Sequence, residues 1–230
     1  MSDQLKTLLD MNEMYSPYPL NRIDTATPQI ETKAHSAPSQ DSLAQLEHDV
    51  KAFTGCPLKK TAINTVFSDG NPNADIMLIG EAPGADEDRQ GKPFVGMSGQ
   101  LLTKAFQAAG FQRDRDLYIT NTVFWRPPGN RRPTAEELKV CLPFTERHIA
   151  LVQPKLIILV GGTAVKALLN KAEGVTKLRG QWFDYASPHL KTSIKMTAIY
   201  HPAYLLRSPG KKKDMWQDLL RIKKFIKKGA

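Results

Sequence analysis

The stretch spanning residues 80–96, GEAPGADEDRQGKPFVG, combines glycines with carboxylates at a density that is unusual for a connecting loop. Glycines permit tight turns and the close approach of a ligand to backbone N–H groups. Four carboxylates fall within eight residues, namely Glu81, Asp86, Glu87 and Asp88. Such a segment could hold a ligand through its backbone and move protons through its carboxyl groups. An acidic, solvated loop with glycines for turning is an equally good interpretation.

Three further positions that could take part in chemistry come directly after short apolar runs. They are Asn121, the pair Gly161 and Gly162, and His201. A single asparagine after a strand is more often a turn residue, and a single histidine is more often a structural one. Together with Gly80 and Glu81, however, they place a carboxylate, an amide, backbone N–H groups and an imidazole after four apolar runs.

The elements that would position these residues are an alternation of strands and helices. Runs of strand length lie at 75–79, 117–120, 156–160 and 196–200, with a shorter one at 66–67. Helical spacing of apolar residues occurs at 98–109, 134–151 and 163–169, and TAEE at 134–137 is a capping box. The pattern predicts an α/β three-layer sandwich with a central four-stranded parallel sheet. Because such sheets bind ligands at the carboxyl ends of their strands, the four groups are expected to converge on one crevice.

The domain organisation follows from composition. Residues 1–42 are rich in Pro, Ser and Thr and predict a flexible N-terminal arm with a candidate short helix at 4–14. Residues 43–230 predict a single domain that ends in a basic amphipathic helix.

The charge of the chain is unevenly distributed. The net charge is +9, and residues 207–230 carry nine basic against two acidic side chains. A basic end on a nearly neutral body predicts a polyanionic partner. A solvated amphipathic helix explains the same lysines, and the two interpretations are compatible.

Composition also excludes several classes of protein. Two cysteines are too few for a disulfide framework, and neither a membrane span nor a signal sequence is visible, which predicts a cytoplasmic protein. The phosphate loop GxxxxGK[ST], the dinucleotide fingerprint and the GxSxG elbow are missing from the sequence. A nucleotide hydrolase or a lipase is therefore not expected.

Three segments together resemble the signature motifs of the family 4 uracil-DNA glycosylases. They are GEAPGADEDRQGKPFVG, YITN with the following RPPGNRRPT, and YHPAYLLRSP, in the family's order and at similar spacing. The resemblance runs over residues 53–209. It implies a uracil-DNA glycosylase-like domain that hydrolyses the N-glycosidic bond of uracil in DNA.

The resemblance assigns the residues that would bind the base. A base inside a duplex must be flipped into a pocket and recognised there by stacking and hydrogen bonds. Phe94 is the candidate stacking residue, although it could equally anchor its loop. The Asn121 carboxamide matches O4 and N3–H of uracil and would reject cytosine. The backbone groups expected around uracil belong to Gly80, Ala82 and Gly84.

Bond cleavage leaves positive charge on the sugar and negative charge on the departing base. His201 matches the family's histidine that donates to uracil O2. Glu81 and Glu87 are both candidates for the carboxylate near the sugar and water, with Glu81 favoured. Ala82 stands where family 1 enzymes, with GQDPY, have an aspartate, so their catalytic residue cannot be transferred.

Contacts to the DNA are expected from two loops. Leucines after the histidine could wedge into the gap left by the flipped base, unless they face the core. Basic side chains would contact phosphates. The candidates are Arg126, Arg131, Arg132, Tyr204, Leu205, Leu206, Arg207 and the lysines at 211–213.

One departure from the family concerns its usual 4Fe-4S cluster on four cysteines. The corresponding positions here are Phe53, Cys56, Trp125 and Cys141. Two thiolates cannot complete a four-cysteine site, so we expect no cluster and no other cofactor or metal, with the aromatic side chains as an apolar plug. A second departure is Met97-Ser98, where the family usually has Arg-Ala.

The favoured prediction is a monomeric DNA repair glycosylase whose partner is uracil-containing DNA, single- or double-stranded, with nucleoid-associated activity and no membrane contact. Two alternatives remain open at this stage. One is a glycosylase for another deaminated base, hypoxanthine or xanthine. The other is a protein that binds uracil in DNA without turnover.

Overall fold

A computed structural model of the chain describes residues 41–171 and 173–228. Most of the predicted N-terminal arm, including the candidate helix at 4–14, lies outside these residues. Within the described ranges, no helix has both the length and the apolar character needed to cross a bilayer.

The strands and helices alternate along the chain. The strands are β1 (Asp69–Gly70), β2 (Ile76–Gly80), β3 (Leu117–Asn121), β4 (Leu156–Val160), β5 (Phe183–Tyr185) and β6 (Ile194–Ile199). The α-helices are α1 (Leu43–Ala52), α2 (Ala85–Gln90), α3 (Met97–Ala109), α4 (Arg113–Asp116), α5 (Ala135–Val152), α6 (Gly162–Leu169), α7 (Val175–Leu178), α8 (Pro202–Arg207) and α9 (Lys212–Lys228). Short 3₁₀ helices occur at Pro57–Lys60, Pro128–Asn130 and Pro209–Lys211.

The strands form one six-stranded sheet in the order β1-β3-β2-β4-β6-β5. The inner four strands are parallel, as predicted, whereas β1 and β5 pair antiparallel at the two edges. The expectation of a purely four-stranded sheet is therefore corrected. The expected strand at 66–67 is wrong as well, because Val66 makes only an isolated backbone hydrogen bond to Phe124, at 2.8 Å.

Helices cover both faces of the sheet and produce three layers. On one face, side chains of α3 and α9 such as Phe106 and Leu219 pack against Leu78 of β2. On the other face, Ile149 of α5 and Val165 of α6 pack in the cluster that contains the neighbouring strand residues. Residues of β2, β3 and β4 are buried throughout, which explains why these strands are continuous apolar runs.

A third apolar cluster packs α1 against α5 and the segment after β3. The start of α5 follows the predicted capping box: Glu137 N–H donates to Thr134 Oγ1 at 3.2 Å, and Thr134 N–H donates to Glu137 Oε2 at 2.8 Å. This cap fixes where the loop after β3 joins the helix.

The C-terminal helix α9 is amphipathic, as predicted. Met215, Leu219 and Ile222 are buried against the sheet, whereas Lys212 and Lys213 are exposed. The helix therefore contributes to the core and presents lysines to solvent.

Candidate functional site

The strand-end groups converge as the topology requires. Gly80 of β2 is paired in register with Asn121 of β3. Beyond the ends of β4 and β6, Gly161 N–H donates to Ile199 O at 3.0 Å, which places Gly161 beside His201. We call the group formed by Gly80, Glu81, Phe94, Asn121 and His201 the strand-end crevice.

Glycines allow the close approach of side chains in this crevice. A Cβ atom on Gly80 would overlap Asn121 Oδ1 and lie 2.5 Å from Phe94 Cζ. Gly161 has a φ of +96°, and a Cβ atom there would lie 2.9 Å from the Cβ atom of His201. A larger residue at either position would displace the groups that line the crevice.

Phe94 presents its ring to the crevice from a strained backbone. Its φ is +52°, a left-handed conformation that costs a residue with a side chain roughly 1–3 kcal/mol. The side chain is buried, and its ring centroid lies 5.9 Å from that of His201. The backbone of α3 touches the Phe94 carbonyl group so closely that a Cβ atom on Gly99 would overlap it. The surrounding chain therefore holds this ring in place.

Asn121 is 2% exposed and lies at the end of β3. Its neighbourhood is fixed by Thr122, which donates its N–H to Gly80 O at 2.9 Å and its hydroxyl to Glu81 O at 2.6 Å. In the part of the chain that the structure describes, the Asn121 carboxamide itself makes no hydrogen bond. Its polar atoms are not among the fully buried atoms that lack a partner, so the group can be reached from the crevice. A ligand that supplies a donor and an acceptor would pair with both ends of the amide.

His201 is the N-cap residue of α8, and its Nδ1 accepts a hydrogen bond from Ala203 N–H at 3.2 Å. Burial lowers the pKa of His201, and the positive charge of Arg207 acts in the same direction, while Glu81 and Glu87 oppose the shift. The imidazole is therefore neutral near pH 7. Because Nδ1 is an acceptor, the proton lies on Nε2, which can donate.

Glu81 is oriented by a residue that the sequence did not indicate. Thr163, in the first turn of α6, donates its hydroxyl to Glu81 Oε2. The contact joins residues 82 positions apart, so no local pattern reveals it. It fixes one oxygen of the carboxylate, and among the described residues the other oxygen accepts no hydrogen bond.

Glu87 has a different role from Glu81, because both of its oxygens accept backbone hydrogen bonds. Oε1 accepts from Val95 N–H at 2.9 Å and from Gly96 N–H at 2.8 Å, and Oε2 accepts from Gly84 N–H at 3.1 Å. These bonds tie the two ends of the glycine-rich loop together. A glutamate three residues after Gly84, at the start of α2, is the sequence signal for such a cap.

The other expected uracil-binding backbone positions lie along the same loop. Ala82 is half-buried and packs at the edge of the third apolar cluster. Gly84 donates its N–H to Glu87, so this group is engaged within the loop. Asp88 is buried and accepts hydrogen bonds from Ile63 N–H and Asn64 N–H at 2.9 and 3.0 Å, which makes it a structural residue.

Of the residues after His201 that are expected to contact DNA, some lie at the surface and others in the core. Leu206 is 41% exposed, whereas Leu205 is 1% exposed and belongs to the core, so the structure does not support a DNA contact for Leu205. Arg207 is exposed. Tyr204 is half-buried and its ring lies 5.0 Å from that of Tyr200.

The arginines of the loop after β3 differ in their exposure and in their hydrogen-bond partners. Arg131 makes a bidentate ion pair with the buried Glu137, with N–O distances of 2.7 and 2.8 Å. Arg126 donates to Asn130 Oδ1 at 2.7 Å and is half-buried, while Arg132 is exposed. Arg131 is exposed as well, but its charge is paired with Glu137, whereas among the described residues the Arg132 guanidinium makes no ion pair.

The four positions of the family's cluster lie in the third apolar cluster. Trp125 is 1% exposed, stacks on Phe53 with centroids 6.4 Å apart, and donates its indole N–H to Thr65 Oγ1 at 3.0 Å. Both thiols are buried, and burial together with the adjacent Cys56 raises the pKa of the Cys141 thiol.

We call the set Phe53, Cys56, Trp125 and Cys141 the apolar plug. Among the described residues, no group of three or more His, Cys, Asp or Glu side chains is arranged to hold a metal ion. The side chains at the plug supply two thiols and two aromatic rings, and they do not fit a four-cysteine cluster. Met97 is 75% exposed at the first position of α3, and nothing in the structure explains Met97-Ser98.

Comparisons with known proteins agree with the geometry. The profile of the uracil DNA glycosylase superfamily matches residues 67–220. The chain is 38% identical over 182 residues to a type-4 uracil-DNA glycosylase of Thermotoga maritima, covering 78% of this chain and 92% of that protein. It is 36% identical over 190 residues to a type-4 enzyme of Sulfurisphaera tokodaii, covering 80% and 85%.

A more distant match is a type-5 uracil-DNA glycosylase of Pyrobaculum aerophilum, at 33% identity over 156 residues, covering 62% of this chain and 67% of that protein. The family that the three motifs predict is thereby confirmed. The chain belongs to the uracil DNA glycosylase superfamily, and within it to the type-4 family.

Proposed function

We propose that this protein is a uracil-DNA glycosylase that acts in DNA repair, binding a flipped uracil in the strand-end crevice and hydrolysing its N-glycosidic bond. The observation that carries the proposal is the meeting of the Asn121 carboxamide, an aromatic ring and a neutral imidazole at one edge of the sheet. A carboxylate oriented by a hydroxyl completes the set.

Base recognition rests on Phe94 and Asn121. The ring of Phe94 offers a face on which a pyrimidine can stack. The Asn121 carboxamide donates to uracil O4 and accepts from N3–H. Cytosine presents an amino donor and an unprotonated N3 at these positions, so the same amide orientation leaves two unmatched pairs. This mismatch gives the preference for uracil over cytosine.

Bond cleavage rests on His201 and Glu81. When the bond between C1′ and N1 breaks, its electron pair leaves with the uracil and positive charge develops on the sugar. The Nε2–H of His201 donates to O2 and stabilises the departing anion, as a preorganised donor does in an oxyanion hole. Glu81 stabilises the cationic sugar and accepts a proton from the water that adds to C1′.

Glu87 supports the same reaction indirectly. Its carboxylate closes the glycine-rich loop that carries Phe94, through bonds to Gly84, Val95 and Gly96. We assign it to loop geometry rather than to water activation, which leaves Glu81 as the carboxylate at the reacting sugar.

Contact with DNA involves exposed groups around the crevice. Leu206 follows His201 on α8 and is the leucine exposed enough to enter the gap left by the flipped base. Arg132 and Arg207, with the lysines at 211–213, contact phosphates and provide affinity without sequence preference. The substrate is uracil in single- or double-stranded DNA, bound by a monomer.

The enzyme works without an iron–sulfur cluster or another cofactor. Support comes from the apolar plug, where Phe53 and Trp125 occupy two of the four ligand positions and pack against each other. Packing then holds the loop between Asn121 and α5, for which a metal site is not required.

The proposal is tested by uracil release from a labelled oligonucleotide under multiple-turnover conditions. We expect the wild-type protein to produce abasic sites and His201→Ala to lose about 10²–10³-fold in rate. His48→Ala is the matched control, because this histidine is exposed on α1, and it should retain full activity.

Two results would contradict the proposal. Release of hypoxanthine or xanthine in preference to uracil would assign the crevice to another base. Tight binding of uracil-containing DNA without any abasic product would identify a binding protein.

A further inference from the structure

Arg113 is a mostly buried arginine that the sequence motifs do not include. It is the first residue of α4, and its side chain is 18% exposed. Its Nε donates to Asp69 Oδ2 at 2.8 Å, Nη2 donates to Pro93 O at 2.6 Å, and Nη1 donates to Phe94 O at 3.1 Å and to Thr103 Oγ1 at 3.3 Å. One guanidinium therefore joins β1, α3 and the glycine-rich loop.

The two carbonyl groups that Arg113 binds belong to the residues that set the position of the stacking ring. Phe94 has a φ of +52°, a conformation that a residue with a side chain rarely adopts without support. Gly99 leaves room for its carbonyl group on one side, and Arg113 binds that carbonyl oxygen. Fixing the carbonyls of residues 93 and 94 fixes the direction in which the Phe94 side chain leaves the backbone.

The geometry requires an arginine specifically. A planar guanidinium can bind two neighbouring carbonyl oxygens and a carboxylate at the same time, whereas an ammonium is a single point charge. Asp69 forms an ion pair with the guanidinium and orients it. Lys92 Nζ lies 3.6 Å from the other oxygen of Asp69, and the lysine side chain is 61% exposed.

We propose that Arg113, oriented by Asp69, is a positioning residue that sets the Phe94 ring for stacking on the flipped base. The inference rests on the proposed function, because it takes Phe94 as the stacking residue. The guanidinium of Arg113 binds the loop carbonyls, Asp69 and Thr103, so its effect on uracil excision passes through the position of Phe94.

This dependence is tested by a double-mutant cycle on uracil excision. Arg113→Lys should lower kcat/KM by roughly tenfold, the effect of losing charged hydrogen bonds to two carbonyls. In a Phe94→Ala background the same substitution should change kcat/KM by less than about twofold, because the ring that it positions is gone. Inhibition by free uracil should weaken in parallel, since it reports on the pocket without the DNA contacts.

Two further variants keep the test interpretable. Arg115→Ala is the matched control, because this arginine lies on the same short helix but is 69% exposed and pairs with the neighbouring Asp116, and it should excise uracil like the wild-type protein. Asp69→Asn leaves the contacts of Arg113 with the loop carbonyls and removes its ion pair. It should show a smaller loss that also disappears in the Phe94→Ala background, and it serves if Arg113→Lys does not fold.

The outcomes separate the inference from the proposed function. Suppose that Arg113→Lys and Asp69→Asn each cause the same loss of kcat/KM in the Phe94→Ala background as in the wild-type background. That result would overturn the positioning role and leave the glycosylase intact. Unchanged uracil inhibition in both variants would do the same. A Phe94→Ala variant with full activity would overturn the stacking role of Phe94 and this inference, and would leave the glycosylase intact. A wild-type protein that releases no uracil would overturn the proposed function, and with it this inference.

Discussion

The strand-end crevice and the apolar plug both depend on the segment that leaves β3, and they are built by opposite means. Asn121 lies in the crevice and Trp125, four residues later, lies in the plug. The crevice is held by directional hydrogen bonds, such as those of Glu87 to the loop backbone. The plug is held by apolar contacts between large rings and two thiols.

The strand-end crevice depends on particular atoms, and the apolar plug does not. A crevice that recognises one base needs donors and acceptors at defined positions, so its residues match the family motifs. A site that only holds a loop in place can exchange its means of support, because packing is non-directional and tolerates different side chains of suitable volume. We infer that the plug replaces the family's cluster as a structural support.

The largest expected effect comes from emptying the plug. Trp125→Ala should destabilise the protein by about 3–5 kcal/mol, because it removes a side chain that is 1% exposed and leaves a cavity. The melting temperature should fall by roughly 10 °C. Thermal melts followed by circular dichroism measure the loss, and uracil excision well below the melt should change less than about tenfold.

The control for this variant is Trp125→Phe, which keeps a ring in the plug and loses the hydrogen bond to Thr65. It should lose about 1 kcal/mol. A Trp125→Ala protein as stable as the wild type would contradict the role of the plug, and one that is stable but inactive would place Trp125 in catalysis.

A smaller effect on stability is expected from the protonation of His148, which lies beside the plug. His148 contacts Phe67 and Phe124, and its Nε2 lies 2.9 Å from the hydroxyl of Tyr118. Burial lowers the pKa of His148 to about 3, so the folded protein keeps it neutral.

The sign of the pH dependence follows from the two states. The unfolded chain binds a proton at this histidine below about pH 6.5, while the folded protein does so only near pH 3, so stability is lost as the pH falls through this range. Between pH 7 and pH 5 the expected loss is about 2 kcal/mol. His148→Gln should remove that part of the slope in urea melts, and an unchanged slope would show that His148 is not the responsible group.

The smallest expected effect concerns the hydroxyl that orients Glu81. Thr163→Val keeps the shape of the side chain and removes its hydrogen bond to the carboxylate, so kcat should fall roughly tenfold with little change in KM. Thr163→Ser retains the hydroxyl and should stay close to wild type. Equal losses in both variants would indicate a packing role for Thr163.

The sheet could largely be predicted from sequence because its central strands are buried on both faces and appear as apolar runs. The edge strands could not. Asp69–Gly70 looks like part of a turn, and Phe183–Tyr185 is a three-residue strand without an apolar run. Both are specified by their partners β3 and β6 rather than by their own residues.

The residues of the crevice also fall into two groups, those that the sequence indicates and those that it does not. Asn121 and His201 were predicted because they follow strands, and topology places strand ends together. Thr163 and Arg113 were missed because their contacts join distant parts of the chain, and a single threonine or arginine carries no pattern. The two leucines after His201 were separable only once the orientation of α8 was known, with Leu205 in the core and Leu206 outside.

The most direct test of the account is the rate of uracil release by chelator-treated wild-type protein whose iron content is measured in the same preparation. The account predicts multiple-turnover excision with substoichiometric iron, unchanged by the chelator. Excision that rises and falls with bound iron would contradict the central claim that packing at the plug replaces the cluster.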